Sequence, residues 1–203
     1  MKKFLINFLF CLMFFTHTES SEVKYSNEQW NLYDIFDTCE GRSSCIDEAE
    51  ALLKSFPSKV TNLDNWMYHK VRYWLADFYY DSEKKENKKK GFEMWREIFN
   101  DPQYEDDDQY KLYSAVALGW NYYVDMDFRD YKKAFQFMKY AADQDLHWAL
   151  NNMGVFYDQG RAVKQNFKRA FEFYNKATDL GNNWSHGNIA ILYTFGLGVE
   201  KNY

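Results

Sequence analysis

The feature that most constrains this chain is a segment that recurs at a fixed offset of 36 residues. WALNNMGVFYDQGRAVKQN, which begins at Trp148, aligns with WSHGNIAILYTFGLGVEKN, which begins at Trp184. The preceding AFQFMKYAADQDLHW and AFEFYNKATDLGNNW, from Ala134 and Ala170, keep that offset. Agreement of this extent indicates an internal repeat, which decides the fold before any other argument. The matched pairs are Trp148 with Trp184, Asn152 with Asn188, Tyr157 with Tyr193, Gly160 with Gly196, Val163 with Val199 and Asn166 with Asn202.

Fainter copies of the same unit lie upstream. ALGWNYY (117–123) precedes KKAFQFMKYAA, and YWLADFYY (73–80) precedes KKGFEMWREIF. NDPQYEDDDQ lengthens the earlier unit by about seven residues relative to the others. We therefore predict four units: a degenerate repeat over 62–104, a divergent repeat over 105–145, a full repeat over 146–181 and the first half of a further repeat over 182–203.

Each unit is predicted to form two antiparallel helices. Apolar residues recur at helical spacing in the third unit, Asn166 suits the N-cap of its second helix, and Gly181 suits a left-handed helix end. Gly154 and Ala170 are small residues that let the helices approach closely. One hairpin cannot bury its apolar face alone, so stacked neighbours share a core. The prediction is an all-α, right-handed α/α solenoid of stacked antiparallel helix pairs. Its second-helix apolar face comprises Phe167, Ala170, Phe171, Tyr174, Ala177 and Leu180.

The pattern of small and aromatic residues resembles the Sel-one-like repeat, a relative of the tetratricopeptide repeat with a longer glycine-bearing loop. The resemblance is specific over 146–203, weaker over 62–145, and does not reach 21–61. Ala162 stands where the pattern has a glycine, and VDMDFRD (124–130) has none. The resemblance implies adaptor or scaffold proteins, without a cofactor, whose exported bacterial members are tied to envelope assemblies. The positions it marks as structural are Gly154, Tyr157, Gly160, Asn166, Ala170, Ala177, Gly181, Tyr193, Gly196 and Gly198.

The N-terminal segment predicts export. MKKFLINFLFCLMFF combines two lysines with an apolar run of about twelve residues, and THTES offers a cleavage point after Ser20. We predict a signal peptide over 1–20, a periplasmic or secreted product, and no membrane span in the mature chain; an uncleaved anchor is the alternative. Cys39 and Cys45 then favour a disulfide across the turn of an N-terminal helix pair over 21–61, with two free thiols as the alternative.

The charged and glycine-rich segments give little support for a nucleic-acid, nucleotide or metal site. The formal net charge is −5, which disfavours nucleic-acid binding. GLGVEKN lacks the preceding strand and third glycine of a dinucleotide loop. DMDFRD lacks the glycine and glutamate of an EF-hand, so no metal is predicted. KKENKKK is expected to be a solvated turn balanced by nearby acids. One basic set is predicted to be a solvated face, with an anion site as the alternative: Arg161, Lys164, Lys168 and Arg169.

Binding is the function favoured over catalysis. His147 and His186 do not occupy equivalent repeat positions and have no serine or cysteine arrangement beside them. The alternative is a cell-wall or β-lactam hydrolase of the cysteine-rich exported repeat type. Two alternatives are expected for the last helix: either the chain continues beyond Tyr203, or Ile189, Leu192 and Tyr193 stay partly uncovered, which would allow self-association. A protein or peptide partner is expected on the concave face, at Trp120, Tyr123, Asn152, Val155, Asp158, Asn188, Ile191 and Thr194.

Overall fold

The regular secondary structure of the chain is α-helical throughout the part that the computed structural model describes, which is residues 26, 27, 29, 46–56, 66–102, 104 and 108–200. Eight helices follow one another there. The prediction of an all-α fold is confirmed. The helices are α1 (Ile46–Ser55), α2 (Trp66–Tyr80), α3 (Lys85–Asn100), α4 (Gln109–Val124), α5 (Tyr131–Asp143), α6 (His147–Gln159), α7 (Phe167–Asp179) and α8 (Asn183–Phe195).

The helices stack as consecutive pairs. The most extensive contacts join α2 to α3, α4 to α5 and α6 to α7, and each pair then packs against the helix that follows it. Helix α1 packs on α2, and α2 also contacts α4. This order of contacts is that of a helical-repeat solenoid, as the sequence predicts. We call α2, α4, α6 and α8 the first helices, and α3, α5 and α7 the second helices.

One hydrophobic core runs through the three pairs instead of closing within each. Buried side chains from all three pairs belong to a single cluster. Sharing is required because a lone helix hairpin leaves one apolar side uncovered, and the next pair covers it. Fully buried members of the cluster include Ala76, Ala115, Leu118, Ala134, Met138, Ala149, Leu150, Phe156 and Ala177.

A glycine lies where the two helices of each pair cross. A Cβ atom on Gly154 would come within 2.4 Å of the Tyr174 ring, and one on Gly91 within 2.4 Å of the Ala76 carbonyl oxygen. At Gly119 the nearest atom, on the Met138 side chain, would be 2.9 Å away. The missing side chain therefore lets a large neighbour, or a helix backbone, occupy the crossing point.

The helix ends follow local sequence signals. Gly160 and Gly196 end α6 and α8 in the left-handed conformation, with φ of 69° and 65°. Asn166 begins α7, and its side-chain oxygen accepts from the Arg169 backbone N–H at 3.0 Å. These contacts satisfy backbone groups that a helix leaves unpaired at its termini.

Two described residues of the longer first repeat, Asp101 and Tyr104, contact α2. Tyr104 is buried, and its hydroxyl lies 2.6 Å from Nδ1 of the buried His69. Nearby, Arg72 donates to Asp101 at 2.7 Å. Asp108 then caps α4 by accepting from two backbone N–H groups of its first turn. The insertion is thus anchored by a buried tyrosine and an ion pair.

Two predicted features of the apolar surface are wrong. Leu180 is 44 % exposed because α7 ends at Asp179, so this side chain leaves the periodic apolar stripe. Leu192 is only 1 % exposed, since it packs with Ala170 and Tyr174 of the preceding pair. Ile189 and Tyr193 are half-buried, in line with partial exposure. The predicted signal peptide, Cys39, Cys45 and residues 201–203 lie outside the described residues.

Two residues take the left-handed conformation where the neighbouring repeat has glycine. Ala162 has φ of 61° at the position equivalent to Gly198, whose φ is 69°. Asp145 has φ of 58° at the position equivalent to Gly181, whose φ is 88°. The loop geometry is therefore conserved between repeats even where the sequence departs from the glycine pattern.

Replacing Ala162 with glycine is expected to raise the free energy of unfolding by about 0.5–1 kcal/mol. The left-handed conformation costs an L-residue about 1–2 kcal/mol, and the greater freedom of glycine in the unfolded chain offsets about half of that gain. Urea unfolding followed by circular dichroism measures the change. Ala190→Gly, in the exposed interior of α8, is the control and should lower stability by about 1 kcal/mol. A loss of stability in both variants would contradict the prediction.

Candidate partner-binding surface

Large exposed apolar side chains are concentrated on the first helices. Within the described residues, the second helices contribute none of them, and the two outside the first helices are Met126 and Leu180. Five tryptophans belong to the set, although tryptophan is usually well buried. The members on first helices are Trp66, Trp74, Tyr113, Trp120, Val124, Trp148, Trp184, Ile191 and Phe195.

The exposed side chains occupy equivalent repeat positions. Tyr113, Trp148 and Trp184 share one position and are 41 %, 48 % and 71 % exposed. Trp120 and Ile191 share another, seven residues later, which returns to the same side of a helix after two turns. We call this side the first-helix face. Its residues are Tyr113, Ala117, Trp120 and Val124 of α4, Trp148, Asn152, Val155 and Gln159 of α6, and Trp184, Asn188, Ile191 and Phe195 of α8.

The first helices lie side by side, so the face continues from one repeat to the next. The rings of Tyr123 on α4 and Phe156 on α6 are 5.3 Å apart. Between α6 and α8, the Asn151 side-chain oxygen lies 3.0 Å from both the Ser185 hydroxyl and the Asn188 amide nitrogen. These joints fix neighbouring first helices relative to each other and leave their outward sides as one surface.

The first-helix face carries no charged residue at its twelve positions. The exposed positions of the second helices are mostly charged. A partner on the first-helix face therefore meets aromatic rings and amides, whereas the opposite side is a solvated surface. The charged residues there include Lys132, Lys133, Lys139, Asp143, Lys168, Arg169, Glu172, Lys176 and Asp179.

Five of the predicted binding residues lie on the first-helix face. Trp120 and Ile191 are 49 % and 53 % exposed. Asn152, Val155 and Asn188 are half-buried between the aromatic positions. The other three, Tyr123, Asp158 and Thr194, share one repeat position, three residues after Trp120 and its equivalents.

Tyr123 is half-buried and takes part in the joint between repeats. Its ring packs edge-to-face on Phe156, its hydroxyl donates to Gln159, and the Arg161 guanidinium lies 4.9 Å from the ring centroid. The equivalent Asp158 is half-buried, and burial raises the pKa of its carboxyl. Thr194, at the same repeat position, donates its hydroxyl to the Ala190 carbonyl at 2.8 Å.

The sequence analysis did not identify seven of the twelve residues of the first-helix face, including those at the beginning and at the end of each helix. Trp148 and Trp184 entered the argument as markers of the repeat, without a surface role. Their separation of seven residues from the predicted Val155 and Ile191 was a usable signal, because this spacing places side chains on one side of a helix. The seven missed residues are Tyr113, Ala117, Val124, Trp148, Gln159, Trp184 and Phe195.

Two arginines of the basic set, Arg161 and Arg169, pack on tyrosine rings. The Arg161 guanidinium lies 4.9 Å from the Tyr131 ring centroid as well as from Tyr123. Arg169 lies 5.4 Å from the ring centroid of Tyr157 and donates to its hydroxyl at 3.0 Å. Cation–π contacts of this kind stabilise by about 0.5–1 kcal/mol at exposed sites. The arginines therefore have structural partners.

The acidic loop DMDFRD pairs with lysines at the start of α3. The prediction that KKENKKK (84–90) forms a turn is wrong, because the segment is helical from Lys85 onward. Lys85 lies 3.0 Å from Asp127, and Lys88 lies 3.2 Å from Asp125. Tyr80 also donates to Asp125 at 2.6 Å. Burial opposes ionisation of Asp125, but the hydrogen bonds from Tyr80, the backbone and Lys88 hold its carboxyl pKa below the usual value. In the described part of the chain, no group of side chains is arranged to bind a metal.

The buried side-chain amide of Asn182 connects His147 of α6 with the start of α8. Asn182 donates to His147 Nδ1 at 3.2 Å, and its oxygen accepts from the Ser185 backbone N–H at 3.2 Å. The Ser185 hydroxyl faces the amide oxygens of Asn151 and Asn182, not an imidazole nitrogen. This serine therefore lacks the adjacent base that a nucleophile needs. His186 lies apart on the exposed surface of α8.

Lowering the pH below about 7 is expected to reduce stability through His147. Burial holds the pKa of its imidazole below the ordinary value of 6.5, and protonated Nδ1 could not accept from Asn182. As the pH falls, the unfolded chain therefore takes up this proton at a higher pH than the folded chain does. The stability that neutral His147 contributes is lost as the pH falls through 6.5 towards the folded pKa. Urea unfolding at about pH 7 and about pH 5.5 measures the effect. His147→Gln should show a smaller decline; an equal decline would contradict the assignment.

The stacked pairs define the chain as an α/α helical-repeat protein. The family model described as Sel1 repeat matches residues 70–97, 113–146, 149–182 and 186–203, which together are more than half of the chain. The protein belongs to the Sel1 repeat family. Proteins of this family generally act as protein-interaction modules and are typically non-catalytic scaffolds.

Solved structures with the same fold are distant in sequence. A Sel1 repeat protein from Oxalobacter formigenes has a TM-score of 0.61 and 15 % identity, covering 86 % of this chain and 64 % of that one. A protective antigen of uropathogenic Escherichia coli strains, described as having an SLR fold, has a TM-score of 0.59 and 19 % identity, covering 86 % of this chain and 34 % of that one. The chain thus spans about one third to two thirds of their lengths, and the likeness shows the fold.

Two further comparisons give negative findings. Among curated proteins, none matches the chain significantly. Of the helices in the described ranges, none combines the length and apolar character needed to cross a bilayer.

Proposed function

We propose that this protein is an exported interaction module that binds a peptide or envelope protein on its first-helix face. The observation that carries the proposal is the recurrence of exposed aromatic side chains at one position in three successive first helices: Tyr113, Trp148 and Trp184. The first helices of stacked pairs line the inner curve of a solenoid, where an extended partner can contact several repeats at once. The face is the concave surface in this proposal.

The composition of the face suits protein recognition. Tryptophan and tyrosine are enriched among the residues that dominate binding energy, and exposed apolar patches mark interaction sites. A partner that covers these rings removes apolar area from water, and this burial stabilises the complex by about 25 cal/mol per Å². The amides of Asn152, Gln159 and Asn188 provide polar contacts without an unpaired charge. Both features support binding by shape and apolar contact.

Photo-crosslinking in cells tests this proposal. A photoreactive amino acid replaces Trp120 or Trp184 on the first-helix face, and Lys139 or Glu172 on the second helices provides the matched control. All four positions are exposed, so the substitutions leave the core intact. We expect discrete crosslinked proteins from the first two positions only. Equal crosslinking from both faces, or none from the first-helix face, would overturn the proposal.

The exported location is a separate part of the proposal and rests on MKKFLINFLFCLMFF followed by THTES. Fractionation of the source cells, combined with N-terminal sequencing of the mature chain, tests it. We expect the protein outside the cytoplasm with a new N-terminus after Ser20. An intact Met1 on cytoplasmic protein would contradict export.

A further inference from the structure

A half-buried aspartate lies beside the first-helix face without an internal counter-charge. Asp158 is in the last turn of α6, and burial raises the pKa of its carboxyl group. Within the described residues, this carboxyl group takes part in no hydrogen bond or ion pair. Arg161, three residues later, lies over the rings of Tyr123 and Tyr131 instead. Because a carboxylate withdrawn from water without a partner is costly, a cation from outside the chain would stabilise it.

The equivalent residue of the preceding repeat does have a partner. Tyr123 on α4 donates its hydroxyl to Gln159, at the end of the next first helix. Asp158 follows at the same repeat position, and the residue of α8 that corresponds to Gln159 is Phe195. A phenyl ring offers no hydrogen-bonding group to a carboxylate. The joint that a tyrosine and a glutamine close between α4 and α6 therefore contains an unpaired polar group between α6 and α8.

A buried hydroxyl without a partner lies next to this carboxyl group. Tyr174 of α7 is 1 % exposed, and its hydroxyl makes no hydrogen bond in the described part of the chain. Its ring lies against Gly154, where an added Cβ would be 2.4 Å from a ring carbon. Asp158 is four residues after Gly154, on the same side of α6. Burial, and then the charge of Asp158, raise the pKa of the Tyr174 hydroxyl, as expected of electrostatic neighbours.

Apolar side chains surround these two polar groups. Val155, three residues before Asp158, packs in the same cluster as Tyr174 and Leu192. Phe195 is one turn after Leu192 on α8 and is 68 % exposed. An aliphatic stem that carries a charged head suits such surroundings, because the stem packs on apolar side chains while the head meets the carboxylate. Lysine and arginine side chains have this form.

We propose that Asp158 and Tyr174 form an anchor site for a basic side chain, lysine or arginine, of the protein that binds the first-helix face. The Asp158 carboxylate pairs with the cation, and the Tyr174 hydroxyl accepts a second hydrogen bond from it. The aliphatic stem lies against Phe195. This inference rests on the proposed function, since it names a chemical feature that the partner presents at the edge of the same surface.

Selection of peptides on the purified full chain tests the inference. Random dodecapeptides displayed on phage are selected against the unmodified chain, against Asp158→Asn, and against Asp179→Asn, which changes an exposed carboxylate of α7. We expect lysine or arginine at one fixed position of the peptides that the unmodified chain and Asp179→Asn select. The preference should be lost with Asp158→Asn. The same preference in all three selections, or none with the unmodified chain, would overturn the inference.

Titration calorimetry with one selected peptide measures the coupling between the two charges. Replacing the basic residue of the peptide with norleucine should weaken binding to the unmodified chain by about tenfold or more. The same replacement should change binding to Asp158→Asn by no more than about twofold, because the carboxylate is already absent. Lysine and arginine versions of the peptide are both measured, and the version that loses affinity for Asp158→Asn identifies the side chain that the site takes. Independence of both versions from Asp158 would overturn the inference.

Tyr174→Phe tests the second acceptor. Removing a buried hydroxyl that has no internal partner should leave the urea midpoint unchanged or raise it. The same variant should bind the selected peptide about threefold more weakly, which corresponds to the loss of one ordinary hydrogen bond. Circular dichroism verifies that the variants are folded. Unchanged affinity in Tyr174→Phe would overturn the assignment of the hydroxyl to the site.

The two proposals fail in different ways. If the selected peptides lose binding in Trp148→Ala but carry no basic residue, the anchor site is wrong and the interaction surface stands. If no peptide is selected while positions 120 and 184 crosslink to a protein in cells, Asp158→Asn is measured against that protein, and unchanged affinity overturns the anchor site. If neither peptides nor crosslinks are found, both proposals are wrong.

Discussion

Replacing Gly91 with alanine is expected to lower the free energy of unfolding by about 3 kcal/mol or more. The added Cβ would lie 2.4 Å from the carbonyl oxygen of Ala76 and 2.5 Å from the backbone nitrogen of Tyr80. Both atoms belong to the backbone of α2, so relief requires the two helices to separate and not merely a change of rotamer. The better helix propensity of alanine, about 1 kcal/mol, offsets only part of this strain.

Gly187→Ala is the matched control, because this glycine also lies inside a helix but a Cβ there would meet nothing within 4 Å. The control should raise stability by about 1 kcal/mol through helix propensity. Urea unfolding of both variants, followed by circular dichroism, separates the effects. Similar stability changes in the two variants would show that the close crossing of α2 and α3 does not constrain position 91.

Replacing Phe156 with alanine is expected to cost about 3–5 kcal/mol. The ring is 1 % exposed and packs edge-to-face on Tyr123 of α4 and Phe135 of α5, at 5.3 and 5.4 Å between centroids. It therefore joins two consecutive pairs. Because the stability of a solenoid is approximately a sum of repeat and interface terms, weakening this joint should broaden the unfolding transition or split it in two.

Phe195→Ala removes the same side chain from an exposed site and provides the comparison. Phe195 is 68 % exposed on the first-helix face, so the stability change should stay within about 0.5 kcal/mol. Urea titrations monitored by both circular dichroism and tryptophan fluorescence would reveal a split transition. A single sharp transition with a small stability loss in Phe156→Ala would contradict the role of this ring as the joint.

Local signals in the sequence were sufficient to predict the helix pairs. Turns and caps depend on a few neighbouring residues, so Gly160 and Asn166 could be placed at helix ends before any tertiary contact was known. The shared core also followed from the repeat, because equivalent apolar positions must face equivalent neighbours. Even the left-handed Ala162 is understandable from its equivalence to Gly198.

The division between surface and joint could not be predicted in the same way. Tyr123 and Trp120 are both aromatic and lie three residues apart, but only the contact with the next repeat distinguishes them. The position of Arg161 over rings of the preceding repeat also depends on how the pairs stack. These assignments depend on how neighbouring helix pairs pack, and the helical spacing of residues in the sequence does not reveal that packing.

The central claim, binding through the first-helix face, is tested most directly by measuring the affinity of a crosslinked partner for two triple variants. The first combines Trp120→Ala, Trp148→Ala and Trp184→Ala; the second combines Gln136→Ala, Lys139→Ala and Glu172→Ala on the second helices. We expect the first to weaken binding by about a hundredfold or more, and the second by no more than about twofold. Equal losses, or a larger loss from the second helices, would contradict the claim.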